Sequence, residues 1–327
     1  METFKSFDLY HFNEDAFRDI ALSLFRFQVS GNPIYKAFVE NLNIEPDSVE
    51  QLEDIPFLPI SFFKQHSIKT GQWPTDAFFT SSGTTGMQTS THEIQSLDFY
   101  LQHAEYNFMH FFGDLTHYHF LALLPSYLER KNSSLVAMMD HFIKRSGSPF
   151  SGFYLNNDAK LLRDLDSLKH SDRKTILWGV TFALLDIAEK HQMDLGHCMI
   201  FETGGMKGRR RELTREELHQ ILCHRFGVPS IYAEYGMTEL LSQAYSIAEN
   251  RFRCPPWMKI MGREITDPFQ KGLLAETSGI NVIDLANRHS IAFIETEDLG
   301  KVYHDGSFEV LGRMDNSDLR GCNLMVG

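Results

Sequence analysis

Phe12, Ala16, Phe17, Ile20, Leu24 and Phe27 recur at helical spacing behind Asn13, a side chain suited to capping a first turn, and Asn32-Pro33 opens a second helix. Pro56 and Pro59 bracket an extended piece over 55–60. From residue 76 the pattern changes to strand and helix in alternation. Apolar runs at 77–80, 118–124, 150–155, 175–179, 198–202 and 230–233 predict strands, and amphipathic stretches at 93–112, 133–145, 183–190 and 215–226 predict helices. Such alternation implies a mostly parallel sheet flanked by helices, with functional loops at the carboxyl ends of its strands. After about residue 250 the helices fade into short β runs at 258–260, 280–285, 290–294 and 308–311, separated by Gly and Asp turns. The pattern therefore predicts an α/β fold with a distal β-rich subdomain, and it shows no internal repeat or low-complexity tract.

Composition narrows the picture. The 327-residue chain is 43% hydrophobic with 27 Phe, which fits a large core and suits an apolar pocket. A net charge of -12 argues against nucleic acid and against an anionic membrane surface. The four cysteines, Cys198, Cys223, Cys254 and Cys322, form no Cys-x-x-Cys pair, which suggests free thiols in a reducing compartment. Glu2, Lys5 and Asp8 charge the N-terminus, no apolar leader follows, and no 18-residue apolar stretch occurs, so the expectation is a cytoplasmic protein without an integral membrane segment.

Four stretches carry chemistry. Thr80-Ser81-Ser82-Gly83-Thr84-Thr85-Gly86-Met87 follows the apolar run 77–79. Its glycines let backbone N–H groups approach an anionic oxygen, and the hydroxyls of Ser81, Ser82, Thr84 and Thr85 add donors. A helix starting at about Glu93 would bring its positive end nearby. The stretch reads as a phosphate cradle or as a plain Ser/Thr/Gly surface loop; it is not a Walker A loop, because no Gly-Lys-Ser/Thr follows. In Phe201-Glu202-Thr203-Gly204-Gly205 the glycine pair permits close approach of a flat ring, or simply ends the strand. In Ala233-Glu234-Tyr235-Gly236-Met237-Thr238-Glu239, Gly236 permits a turn, Thr238 can cap a following helix, and Glu239 offers a carboxylate. That carboxylate would face phosphates through Mg²⁺, or serve only a helix dipole. Lastly, Thr296-Glu297-Asp298-Leu299-Gly300 precedes Gly312-Arg313-Met314-Asp315. Asp298 can accept from a ribose diol and Arg313 can meet a ribose or phosphate oxygen, though each also suits a hairpin turn.

In this order and spacing the stretches resemble the adenylate-forming superfamily, which includes acyl-CoA synthetases, luciferases and peptide-synthetase adenylation domains. The stretch 80–86 resembles its phosphate loop, Gly204-Gly205 its adenine-side glycines, and 235–239 its Tyr-Gly-x-Thr-Glu motif. The stretch 296–298 resembles its Thr-Gly-Asp ribose motif, and 312–315 its Gly-Arg-x-Asp hinge. The resemblance covers roughly residues 76–322. It implies that Thr84 and Thr85, with Ser81, Ser82, Gly83 and Gly86, hold phosphate. Gly204, Gly205, Glu234, Tyr235, Gly236 and Thr238 then serve the nucleotide, Tyr235 against the adenine. Glu239 binds Mg²⁺, and Asp298 with Arg313 hold the ribose; the implied cofactors are ATP and Mg²⁺.

The departures are informative. Met87-Gln88-Thr89 replaces the usual Pro-Lys, and Glu297 stands where the family has Gly. The sequence runs only a short way past the hinge-like stretch, so the expectation is a protein that lacks the family's mobile C-terminal domain and its lysine. That ending is similar to the LuxE-type acyl-protein synthetases, which activate a fatty acid with ATP and carry the acyl group on a cysteine near the C-terminus. Cys322 is the position that fits. The resemblance thus implies the N-terminal domain of an adenylate-forming enzyme: a helical segment 1–75, an adenylation core 76–311 that is β-rich from about 250, and a tail 312–327 carrying Cys322. It implies a ligase that converts a fatty or other carboxylic acid to acyl-AMP, then to a cysteine thioester, then passes the acyl group to an acceptor protein. An acyl- or aryl-CoA ligase whose last domain is a separate chain, and a non-catalytic nucleotide-binding scaffold, remain the alternatives.

Overall fold

A helix begins where backbone donors find a substitute acceptor, and the first two helices do so through asparagine. Asn13 accepts the Ala16 N–H at 2.9 Å and starts α1 (Glu14–Gly31), which buries Phe17, Ala21, Leu24 and Phe25. Asn32 accepts from Ile34 and Tyr35 to start α2 (Pro33–Asn41), where Pro33 has no N–H to lose. Strand β1 (Leu58–Pro59) and α3 (Phe62–Gln65) follow. The structure is a computed structural model that describes residues 8–81, 89–124, 132–154, 157–204, 213–248, 251–267 and 269–314.

The alternating region opens with β2 (Ala77–Thr80), β3 (Thr91–Ile94) and α4 (Leu97–Phe112). Next come β4 (Tyr118–Leu123), α5 (Ser134–Ser146), β5 (Gly152–Phe153) and α6 (Asp158–Ser167). Then follow β6 (Lys174–Val180), α7 (Thr181–Lys190), β7 (Cys198–Thr203), α8 (Arg215–Phe226), β8 (Tyr232–Tyr235), β9 (Ala244–Ala248) and β10 (Arg251–Arg253). The chain then forms β11 (Met258–Arg263), β12 (Ser278–Asp284), β13 (Phe293–Val302) and β14 (Phe308–Arg313).

Contacts divide the described residues into two units, 73–255 in one and 8–72 with 256–314 in the other. The unit 73–255 contains the expected α/β sheet, ordered β10-β9-β8-β7-β6-β4-β5. Pairing is parallel from β8 through β7, β6 and β4 to β5, and antiparallel from β8 to β9 and from β9 to β10. Every residue of β4 is buried, as a parallel strand covered on both faces requires. Trp178 of β6 stacks on Phe201 of β7 at 4.6 Å, and Phe108 of α4 packs among Phe120, Phe142 and Trp178. Much of the phenylalanine therefore serves the core. The other unit is an antiparallel sheet, β11-β12-β13-β14, with β1 added parallel to β13. Its helices come from the opening of the chain: Gln28 of α1 donates to the Asn287 carbonyl and accepts the Ala292 N–H.

Three elements differ from expectation. The run 150–155 shortens to the two-residue β5. The run 290–294 becomes the ten-residue β13, which continues through 296–298, so Asp298 stands within a strand and not in a hairpin turn. The stretch 91–94 is the second strand of a hairpin, and α4 starts only at Leu97. Alternating burial along Thr91–Ile94 suits a strand with one covered face, and Ser96 accepts the Phe99 N–H to open the helix.

Candidate active site

Strands β2 and β3 flank the glycine-rich stretch in sequence. Its register pairs Ala77 with Ile94 and Thr80 with Thr91, so residues 81–90 form the connection. Ser81 donates its N–H to the Ser90 carbonyl and accepts the Ser90 N–H on its hydroxyl, at 3.0 and 2.9 Å. That closes the base of the connection and leaves the Ser81 hydroxyl proton for another acceptor. The Thr80 N–H is held by the Asn132 carbonyl at 2.9 Å. Ser82, Gly83, Thr84, Thr85 and Gly86 lie outside the described residues. The start of α4 is at the opposite end of the hairpin, where Asp76 accepts the Leu97 N–H at 2.8 Å. The four residues of Thr91–Ile94, about 13 Å of strand, separate that end from the base of the connection at Ser81 and Ser90, and the helix start already meets a carboxylate.

At the carboxyl end of β7, Gly204 has φ +70°, a conformation that side chains rarely adopt. The Thr181 hydroxyl lies 2.5 Å from the Gly204 carbonyl and 3.1 Å from the Glu202 carboxylate, with one proton for the two acceptors. Gly205 lies outside the described residues.

The end of β8 supplies Glu234 and Tyr235. Tyr235 is buried, with its ring 5.9 Å from that of Phe252. No helix follows: the chain turns through 236–243 and returns as β9, with the Leu240 N–H on the Met237 carbonyl. Thr238 therefore caps nothing, and the helix-dipole reading of Glu239 is excluded. Three side chains fasten this turn instead. His92 of β3 reaches the Thr238 carbonyl at 2.9 Å, His103 the Ser242 hydroxyl at 2.9 Å, and Asn107 the Gln243 carbonyl at 2.8 Å. Burial pulls His103 down to about 3, so it binds Ser242 as neutral imidazole. The turn holds Glu239 with only 4% of its surface exposed.

Two buried acids sit side by side here with opposite tendencies. Burial pushes Glu234 up to about 7, against a hydrogen bond from Thr203 and aided by the charge of Glu202. Burial also raises Glu202, but Arg215 at 3.0 Å, then His219 and Thr181, outweigh it and hold Glu202 below its ordinary range. Gly236 accommodates the acid beside it, because a Cβ there would stand 2.2 Å from a Glu234 oxygen.

In the other unit, Asp298 of β13 and Arg313 of β14 are register partners, with Arg313 Nε 3.6 Å from an Asp298 oxygen. Asp298 is buried and Arg313 is exposed, so the pair offers an anchored acceptor beside a solvent-facing cation. Thr296 accepts the Asp298 N–H while donating to the Ile280 carbonyl. Lys64 of α3 lies 3.8 Å from Glu297, the residue in place of the family's glycine.

Sequence reading missed the fasteners His92, His103, Asn107 and Thr181. For two of them a signal exists. His103 and Asn107 share the buried face of α4 with Tyr100, Ala104 and Phe108, and polar residues at such positions need partners. The Mg²⁺ expectation also meets a test. Among the described residues no three His, Cys, Asp or Glu side chains cluster as a metal cage. One held carboxylate, Glu239, fits the way Mg²⁺ is bound through one or two carboxylates and substrate phosphates.

No family model matches the chain. It is 23% identical over 326 residues to the long-chain-fatty-acid–luciferin-component ligase of Vibrio harveyi, covering 92% of this chain and 85% of that protein. A 2-hydroxyisobutyryl-CoA ligase, solved with 2-HIB-AMP and CoA, superposes with TM-score 0.67 at 12% identity over 97% of this chain and 77% of its own. ATP-bound MatB from Rhodopseudomonas palustris superposes with TM-score 0.55 at 17% identity over 73% of this chain, which spans about half of MatB, 48%. Among the described residues no helix is long and apolar enough to cross a membrane. The resemblance expected from the motifs is thus met twice, by a long-chain-fatty-acid–luciferin-component ligase in sequence and by a 2-hydroxyisobutyryl-CoA ligase in structure, and this chain shares the fold of the latter.

Proposed function

We propose that the protein is an ATP-dependent acid–thiol ligase: it adenylates a fatty or other carboxylic acid, carries the acyl group on Cys322 and passes it to an acceptor protein. The observation that carries this reading is the 236–243 turn at the carboxyl end of β8. It holds Glu239 buried and is tied by His92 to β3, the strand that follows the glycine-rich stretch in sequence. Similarity to a long-chain-fatty-acid ligase over 92% of the chain supports the choice of substrate class.

The chemistry asks the protein for alignment and charge neutralisation. A carboxylate oxygen of the acid attacks the α-phosphorus of ATP, and the bond to the bridging oxygen of pyrophosphate breaks. Thr84 and Thr85, with Ser81, Ser82 and the backbone at Gly83 and Gly86, would take the phosphate oxygens. Glu234, Tyr235, Gly236 and Thr238 with Gly204 and Gly205 would form the adenine side, and Asp298 with Arg313 would take the ribose hydroxyls. Mg²⁺, held by Glu239, would neutralise phosphate charge. The Cys322 thiolate then attacks the acyl carbon, the C–O bond to AMP breaks, and a thioester forms. Burial pushes the Cys198 thiol up to about 12 and raises Cys223 also, so neither suits a thiolate carrier.

The test is incubation with ATP, Mg²⁺ and a panel of radiolabelled acids, following pyrophosphate exchange and hydroxylamine-sensitive label on the chain. Exchange that depends on an added acid, with label on protein, is the expected result. Label that appears only on added CoA would make the protein a CoA ligase. Absence of exchange with every acid would leave a nucleotide-binding scaffold.

A further inference from the structure

Arg263, the last residue of β11, is 5% exposed, although an arginine is rarely buried without a purpose. Its register partner on β12 is Gly279, and Gly279 in turn faces Leu299 of β13. A Cβ on Gly279 would lie 1.5 Å from Arg263 Nη1. The guanidinium thus fills the place of the absent side chain and crosses the whole width of β12. On the far side, Nη2 donates to the Thr296 carbonyl at 2.8 Å and meets Glu295 Oε1 at 3.4 Å. Its charge also acts on Asp298. Thr296 closes the chain of contacts, because its hydroxyl accepts the Asp298 N–H. Nη1 is buried and has no hydrogen-bond partner among the described residues. Burying a cation with one arm unmatched is costly, so its position calls for a reason beyond packing.

We propose that Arg263 is a positioning residue for Asp298: reaching through the gap at Gly279, it fixes the 295–298 backbone and supports the Asp298 carboxylate from behind, setting it to accept a ribose diol. The inference rests on the reading of Asp298 as the ribose acceptor. Arg313 meets Asp298 from the exposed side of the next strand, so the carboxylate is held between two cations that do different work. Arg313 faces solvent, while Arg263 is buried in the sheet.

The experiment compares equilibrium binding of ATP, 2′-deoxyATP and 3′-deoxyATP, together with KM and kcat for pyrophosphate exchange, in wild type, Arg263→Met, Arg263→Lys and Gly279→Ala. Wild type prefers ATP over both deoxy analogues. Arg263→Met weakens ATP binding about tenfold or more, the scale of one charge-assisted hydrogen bond, but barely changes binding of the analogues, so the preference collapses. KM rises more than kcat falls. Gly279→Ala displaces the guanidinium without removing the charge and gives the same loss of preference. Arg263→Lys keeps the charge without the planar fork and restores part of it. Folded variants that keep the wild-type preference overturn the proposal. So does unfolding of all three, which would make Arg263 a core ion only. A wild type that binds ATP and its deoxy analogues equally, or not at all, overturns the ribose reading itself, a separate outcome.

Discussion

His92 Nδ1 lies 2.9 Å from the carbonyl oxygen of Thr238, a residue 146 positions away. A carbonyl only accepts, so Nδ1 carries a hydrogen and donates it. This bond fastens the strand leaving the glycine-rich connection to the turn that holds Glu239. Replacing His92 by Ala should lower kcat/KM for acid-dependent pyrophosphate exchange about tenfold or more, the size of one lost buried hydrogen bond. Because Glu239 follows Thr238 directly, the Mg²⁺ requirement should rise as well. A variant with wild-type exchange and Mg²⁺ dependence, but a lower melting temperature, would reduce this bond to packing.

Glu239→Gln removes the charge and keeps the shape. With no helix after Thr238, no helix dipole is disturbed, and the change should act through the metal. The Mg²⁺ concentration for half-maximal exchange should rise about tenfold or more. Titrating Mg²⁺ against exchange in both proteins decides the matter; overlapping curves would remove Glu239 from the metal site.

Glu234 gives a pH dependence of stability. It holds its proton up to about pH 7 in the folded protein, whereas the free side chain ionises near 4.5. Between these values the folded state binds more protons than the unfolded chain, so stability falls as pH rises through this window, by about 3 kcal/mol at full effect. Glu202 has the opposite sign: its lowered value contributes stability that is lost only in more acidic solution, below the ordinary glutamate range. Urea unfolding at about pH 5 and pH 7 should show the loss in wild type and a smaller one in Glu234→Gln. Equal losses in the two proteins would show that Glu234 is not the group responsible.

Thr84 and Thr85 are proposed donors to phosphate. Replacing both by Ala should reduce exchange about 10²-fold or more, as expected when donors to developing charge are removed. Melting temperatures measured on the same samples separate chemistry from folding, and an unchanged exchange rate would move the phosphate contacts elsewhere.

Cys322→Ser separates the two half-reactions. Adenylation does not need the thiol, so acid-dependent exchange should persist while hydroxylamine-sensitive label on the chain disappears. Label as heavy as in wild type would assign the carrier role to another residue. Collapse of exchange along with label would point to a structural role for Cys322.

Local chemistry along the chain set the elements and their kind. Apolar runs long enough for parallel strands and asparagine caps at Asn13 and Asn32 are local signals, set by backbone donors and side chains within a few residues. Its motifs also marked Gly204 and Tyr235 at strand ends, Glu239 in the turn after β8, and Asp298 and Arg313 on neighbouring strands, because glycines and functional groups at set spacing leave a pattern in one dimension. Local signals misplaced the start of α4, since 91–94 is strand only through pairing with 77–80. They also put a helix after Thr238 where a turn is held by His92, His103 and Asn107. Tertiary structure alone decided those attachments, the opposed tendencies of Glu202 and Glu234, and the reach of Arg263 across Gly279. Each depends on groups far apart in sequence meeting where water is excluded, and there desolvation and partner geometry, which no residue carries alone, determine protonation and position.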